Sequence, residues 1–180
     1  MRCERCTGLR DTASIPCVVR VDPVEPEWAQ ALVEGDAEFS ARFDIPVATG
    51  WLVFQETRGS LVAAATRDAV DPWGLHLFFD DDGTLVGNGG WKGPPVEGTA
   101  ELGYAVAPKR RGRGVATSAV GVLLSRAESA GLRTVVAHTL AQESASTAVL
   151  RRSGFTCVRE FADPDNGPVW RWERRIRTAR

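Results

Sequence analysis

The run Val106-Ala-Pro-Lys-Arg-Arg-Gly-Arg-Gly-Val-Ala-Thr117 constrains this chain more than any other stretch. Ala100 to Val106 is apolar and aromatic enough to be a strand. Beyond the run, Ala116, Ala119, Val120, Leu123, Leu124 and Ala127 recur at helical spacing, and Gly131 stands where a helix C-cap is wanted. The turn between strand and helix holds Arg111, Gly112, Arg113 and Gly114. Glycine lets backbone approach a ligand with no Cβ in the way. The first N–H groups of a helix lack internal partners, and the helix dipole favours an anion there. With three arginines and a lysine added, the stretch reads as a phosphate cradle.

The cradle matches neither common nucleotide pattern. No Gly-x-x-x-x-Gly-Lys-Ser/Thr is present, and Gly112-x-Gly114 is followed by Thr117 where the dinucleotide pattern needs glycine. The full run Val106-x-Pro108-x-x-Arg111-Gly112-x-Gly114-x-Ala116 resembles the Arg/Gln-x-x-Gly-x-Gly/Ala signature of the GCN5-related N-acetyltransferases (GNAT). A second stretch, Ser146-Thr-Ala-Val149-Leu150-Arg-Arg-Ser-Gly154-Phe155, resembles the family's last helix and following strand. With Glu101 and Gly103-Tyr104, it is most similar to the branch of the ribosomal-protein N-terminal acetyltransferases. The resemblance covers residues 17 to 176 and is weak before residue 73.

Composition fits one domain. The chain has 180 residues, 43 % hydrophobic and 25 % charged, with net charge −1. Nothing in that balance suggests nucleic acid, and no apolar run is long enough to span a bilayer. The N-terminus has no apolar stretch like a secretory signal, so the cytoplasm is the expected compartment. Cys3-x-x-Cys6 has only Cys17 nearby, and His76 and His138 lie far along the chain, so no metal is expected. Cys157 is read as a core residue.

Residues 1–16 show no periodicity and read as a flexible arm, 17–176 as the domain, and 177–180 as a tail. Cys17 to Val21 reads as a strand closed by Asp22-Pro23. Pro26 opens a helical stretch that Gly35 divides. Leu61 to Ala69 reads as a helix, and Trp51 and Phe54 read as core or as an acceptor-pocket wall. Leu75–Phe79 and Thr84–Trp91 read as a hairpin around Asp80-Asp81-Asp82-Gly83, with three solvated turn acids. Arg133–Thr139 is a strand parallel to the Glu101 strand. Ser144–Ser153 is a short helix with Ala145, Val149 and Leu150 inward, and Phe155–Phe161 and Val169–Ile176 are the last strands. This order suits an α+β or mixed α/β domain. The resemblance implies a mixed, mostly antiparallel sheet splayed between two parallel strands and flanked by helices.

The resemblance also implies an activity: acetyl-coenzyme A donates an acetyl group to a primary amine by direct attack on the thioester. The cofactor's pyrophosphate falls to Arg111, Gly112, Arg113, Gly114, Val115, Ala116 and Thr117, and backbone N–H near Val106 polarises the thioester carbonyl. A glutamate on this strand often serves as base in related enzymes, which makes Glu101 the candidate, with small residues at 103 and 105 leaving room. The competing reading is a surface glutamate paired with an arginine. Ser146 is the candidate proton donor to the leaving thiolate, or a hydroxyl that bonds the helix start or the cofactor. His138 is an alternative base, although a single strand histidine is more often structural. The chain departs from the family at Glu143 and Ser144, where an asparagine is usual, at Leu150, where many members carry a tyrosine that acts as general acid, and at Ser118, where this branch often has glutamate. The implied acceptor is a small-molecule amine or a protein N-terminus, and a homodimer is left open. The alternative is a non-catalytic acyl-coenzyme A sensor of the same fold. A nucleic-acid-binding basic turn is disfavoured by the net charge.

Overall fold

The computed structural model describes residues 19–176. The expected arm at 1–16, the thiols Cys3, Cys6 and Cys17, and the tail at 177–180 lie outside the described residues. In chain order the elements are β1 (Arg20–Pro23), α1 (Pro26–Glu34), α2 (Asp36–Phe43), α3 (Gln55–Ala65), β2 (Leu75–Phe79), β3 (Leu85–Trp91) and β4 (Thr99–Val106). A 3-10 turn (Pro108–Arg110) leads to α4 (Val115–Ser129), β5 (Thr134–Leu140), α5 (Ala145–Arg152), β6 (Thr156–Asp163) and β7 (Gly167–Arg175).

The seven strands form one sheet in the order β1-β2-β3-β4-β5-β7-β6. Every neighbouring pair is antiparallel except β4 and β5. This is the mixed, mostly antiparallel sheet that the resemblance implies. The one parallel pair joins Thr99, Ala100 and Glu101 to Thr134, Val135 and Val136 and then stops. Past that point β4 stays with β3 as far as Val106, and β5 stays with β7 as far as Leu140. Each strand follows its other neighbour, so a fork opens between them just beyond Glu101.

Two apolar layers fix the sheet. One joins α4 and α5 to β4, β5 and β7 through Leu102, Val120, Leu123, Val135, Leu150 and Trp172. The other joins α1 to α3 to β2 and β3 through Leu32, Phe39, Trp51, Leu61, Leu77 and Phe79. Phe78 and Phe79 serve opposite layers, as strand alternation requires. In β3, a Cβ on Gly89 would come within 2.6 Å of both the Gly103 carbonyl oxygen and the Phe78 ring. This glycine makes room for packing between strands.

Several sequence expectations shift. The helix read over 61–69 is α3, six residues earlier at its start, with Thr57, Leu61 and Ala64 as its buried stripe. Gly59 and Ser60 weaken the helical signal of its first half. The first strand extends through Asp22-Pro23, which an edge strand tolerates because its outer side needs no donor. Trp51 is core and donates its indole N–H to Asp36 at 2.9 Å, whereas Phe54 is half exposed on the cleft described below. In α5 the buried residues are Thr147 and Leu150, Val149 packs half-buried against the core, and Ala145 is exposed. Cys157 is exposed rather than core, because β6 is the sheet edge.

Candidate functional site

The glycine-arginine turn begins where β4 ends. The 3-10 turn carries the chain away from the sheet, and Gly112 (φ 75°) and Gly114 (φ 84°) take left-handed conformations that favour glycine. Gly114 is the N-cap of α4, and no side chain caps that end. The amides of Val115, Ala116 and Thr117 therefore head the helix without intrahelical acceptors. A Cβ placed on Gly112 would meet nothing within 4 Å, so the turn opens to solvent. The basic residues divide by role. Arg110 reaches Asp80 at 2.7 Å and ties the turn to the β2–β3 hairpin. Asp80 is buried and also accepts from the Thr84 amide at 3.0 Å, so it is not the solvated turn acid expected. Arg111 donates its Nε to the Val106 carbonyl at 3.0 Å, closing the turn onto the strand end. Lys109 and Arg113 are exposed beside the glycines. Open amides, a dipole end and positive charge together fit a pyrophosphate.

A cleft of about 870 Å³ follows the fork. Its walls are Asn88 to Lys92, Glu101 to Tyr104, and Ala137 to Leu140. Ser144 and Ser146 close one side, Phe54 and Thr57 another, and Phe161, Asp163 and Asn166 a third. Glu101 and Ser146 thus meet in one cleft. Val106 and residues 111–117 are not on its walls, but they continue the strand that forms one of them.

Glu101 sits at the mouth of the fork with two partners on one carboxylate oxygen. Lys92 Nζ lies 2.8 Å from Oε1 and His138 Nδ1 lies 3.0 Å from it. Burial pushes this carboxyl up, but the bonds from Lys92 and His138 outweigh it and hold the group below the usual carboxylate range. The partner is therefore not the arginine weighed from sequence. Lys92 arrives by strand register: Trp91 pairs with Leu102, and the Lys92 amide donates to the Glu101 carbonyl at 3.0 Å. Counting out that hairpin from Gly93-Pro94-Pro95 would have placed Lys92 over Glu101. No local signal in the sequence places His138 there, because the parallel register of β4 and β5 is set across the α4 crossover.

Ser146 is exposed in the first turn of α5. Its backbone carbonyl accepts the Tyr104 hydroxyl at 2.9 Å, which straps the start of α5 to β4. Burial pushes the Tyr104 phenol far above its ordinary value, against a smaller opposing effect of that bond. The departures at Glu143 and Ser144 are occupied by local structure. Ser144 caps α5 in a reciprocal box with Thr147. Glu143 grips Arg151 with both oxygens at 2.6 Å. Leu150 is 1 % exposed in the core.

A family model described as the acetyltransferase (GNAT) domain matches residues 19–156. The chain belongs to the GNAT acetyltransferase family. No curated protein matches it significantly. Among solved structures, this GNAT domain is similar to RimL, a ribosomal α-N-protein acetyltransferase in complex with coenzyme A. That match has a TM-score of 0.64 and 19 % identity over 88 % of this chain and 94 % of that one. It is also similar to a ribosomal-protein-alanine N-acetyltransferase from Brucella melitensis (TM-score 0.60, 19 % identity, 87 % and 99 % covered). A spermidine N-acetyltransferase variant from Vibrio cholerae aligns with a TM-score of 0.61 and 14 % identity over 87 % and 93 %. At these identities the likeness is one of fold.

Proposed function

We propose that this protein is an N-acetyltransferase that uses acetyl-coenzyme A and acetylates a primary amine, on a small molecule or at a protein N-terminus. One observation carries the reading: a single strand, β4, leads from a carboxylate at the mouth of an open fork to an uncapped helix start rich in arginine. When bound, acetyl-coenzyme A supplies an activated acyl carbon and a thiolate leaving group. The amides of Val115, Ala116 and Thr117, the glycine turn, and Arg111 and Arg113 would hold its pyrophosphate. Beyond Glu101 the facing edges of β4 and β5 carry no strand pairing with each other. Backbone groups on those facing edges would bond a pantetheine arm and polarise a carbonyl, the Val106 carbonyl itself being taken by Arg111. Proton removal from the amine centres on Glu101 and the groups bonded to it. Ser146, on the same cleft, is assigned proton donation to the departing sulfur.

The test is thiol release from acetyl-coenzyme A against a panel of amines that includes spermidine and an alanine-terminal peptide. Turnover with at least one amine is expected. Thermal stabilisation by acetyl-coenzyme A without turnover on any amine would replace the enzyme with an acyl-coenzyme A sensor.

A further inference from the structure

We infer that His138 Nε2 is the atom that takes the amine proton, with Glu101 acting as its positioning residue. The inference rests on the acetyltransferase reading and sharpens its base.

The argument starts from donors and acceptors. The Glu101 Oε1 atom receives Lys92 Nζ at 2.8 Å and His138 Nδ1 at 3.0 Å. A carboxylate only accepts hydrogen bonds, so the imidazole nitrogen facing it carries the proton. In a neutral ring the other nitrogen, Nε2, then holds a free lone pair. A carboxylate that fixes a histidine tautomer so that the far nitrogen is basic is the arrangement used in hydrolytic triads. The carboxylate is also poorly placed to be the base itself. Two donors hold it in its charged form, which weakens its pull on a third proton.

Position agrees with chemistry. His138 is on β5, two residues past the last one paired with β4, and it lines the cleft. The Phe161 ring meets it edge-on at 5.5 Å between centroids and limits how the imidazole can turn. The charged groups around it are Glu101 and Lys92 on the β4 side, Arg171 opposite it on β7, and Asp163 on β6. Arg171 is tied to Glu173 at 2.8 Å, Asp163 accepts from Asn166, and Arg159 lies over Phe161. These groups leave the imidazole with one dedicated partner, Glu101.

The step balances without another reactant. His138 Nε2 takes one proton from the ammonium and later gives it to solvent. The freed nitrogen lone pair forms the C–N bond as the C–S bond breaks. The remaining surplus N–H proton ends on sulfur, through Ser146 or water.

The test joins kinetics to nitrogen NMR. The chain has two histidines, so a His138→Gln variant assigns the imidazole signals unambiguously. In the wild type above neutral pH, a protonated Nδ1 and a bare Nε2 are expected, and Glu101→Ala should move the ring toward the Nε2–H form. With an amine that wild type acetylates, His138→Gln should lower kcat about 100-fold or more, while KM for acetyl-coenzyme A stays within about threefold. The acid limb of the wild-type pH profile should vanish in the variant. An Nε2–H ring in the wild type overturns the inference without any acceptor in hand. So does a His138→Gln enzyme that keeps its kcat and its acid limb. A wild type that releases no thiol with any amine overturns the acetyltransferase reading instead, while the tautomer result stands separately.

Discussion

Replacing Gly114 with glutamate isolates the phosphate cradle from the rest of the fold. Gly114 has φ 84° and caps α4 with no side chain of its own. A residue with a Cβ costs about 1 kcal/mol in that conformation, which lowers Tm by about 2–4 °C in a domain of this size. The larger effect is on binding. A carboxylate about 4 Å from a phosphate charge repels it by about 1 kcal/mol in bulk water and by about 4 where solvent is partly excluded. For this exposed turn a total near 3 kcal/mol is reasonable, or about 100-fold in Kd. Ligand at 100 times Kd stabilises wild type by about 2.7 kcal/mol, a Tm rise of about 5–10 °C. The same ligand concentration should raise the variant by about 1 °C. Gly121→Glu is the matched control. It adds the same charge on the same helix at an exposed position where a new Cβ meets nothing within 4 Å. It lies about 10 Å along the axis, beyond most of the screened field. Differential scanning fluorimetry with acetyl-coenzyme A reads both. Equal shifts in wild type and Gly114→Glu, or loss of the shift in Gly121→Glu alone, would refute the cradle.

Two further outcomes test the frame. Asn88 is buried in β3, donating to the Trp51 carbonyl at 2.8 Å and accepting from Thr57 at 3.4 Å. Asn88→Ala leaves that carbonyl unpaired and should destabilise by about 1–3 kcal/mol, seen as a lower urea midpoint at constant m. His76 is buried, and burial lowers its pKa from 6.5 to about 4 against the opposing bond to the Gly74 carbonyl. The unfolded chain therefore binds a proton that the native state refuses between those values, and stability falls as pH drops through that window. The loss approaches about 3 kcal/mol near pH 4. The carboxylates Glu101, Glu143 and Asp163, whose native values are lowered, add their losses from the ordinary carboxylate range downward. Between pH 6.5 and 4.5, urea titrations of His76→Gln should show a flattened slope, and an unchanged slope would assign the acid loss elsewhere.

The local elements were legible where local rules decide them. The α4 apolar stripe, the Gly112 and Gly114 turn, the Asp-Gly hairpin, the Gly35 break and the Ser146 to Phe155 ending follow from spacing and backbone chemistry. The turn over 106–117 was legible because a helix start with glycines and arginines is a short-range arrangement. Cys157 was misread because an apolar-looking residue in a strand cannot report whether its strand is an edge. The helix α3 was misplaced because its buried stripe of Thr57, Leu61 and Ala64 becomes legible only against Trp51 and the sheet.

The sequence by itself determined the glycine-arginine turn, the order of elements and the presence of a carboxylate on the strand before the turn. Tertiary structure alone decided what that carboxylate touches. Lys92 reaches Glu101 through hairpin register, and His138 reaches it from a strand more than thirty residues later. The fork itself is a tertiary fact, since β4 and β5 part only because β3 and β7 hold them on opposite sides. Short-range chemistry writes turns and caps into neighbouring residues, whereas the partner of a side chain in a sheet depends on registers summed over the whole domain.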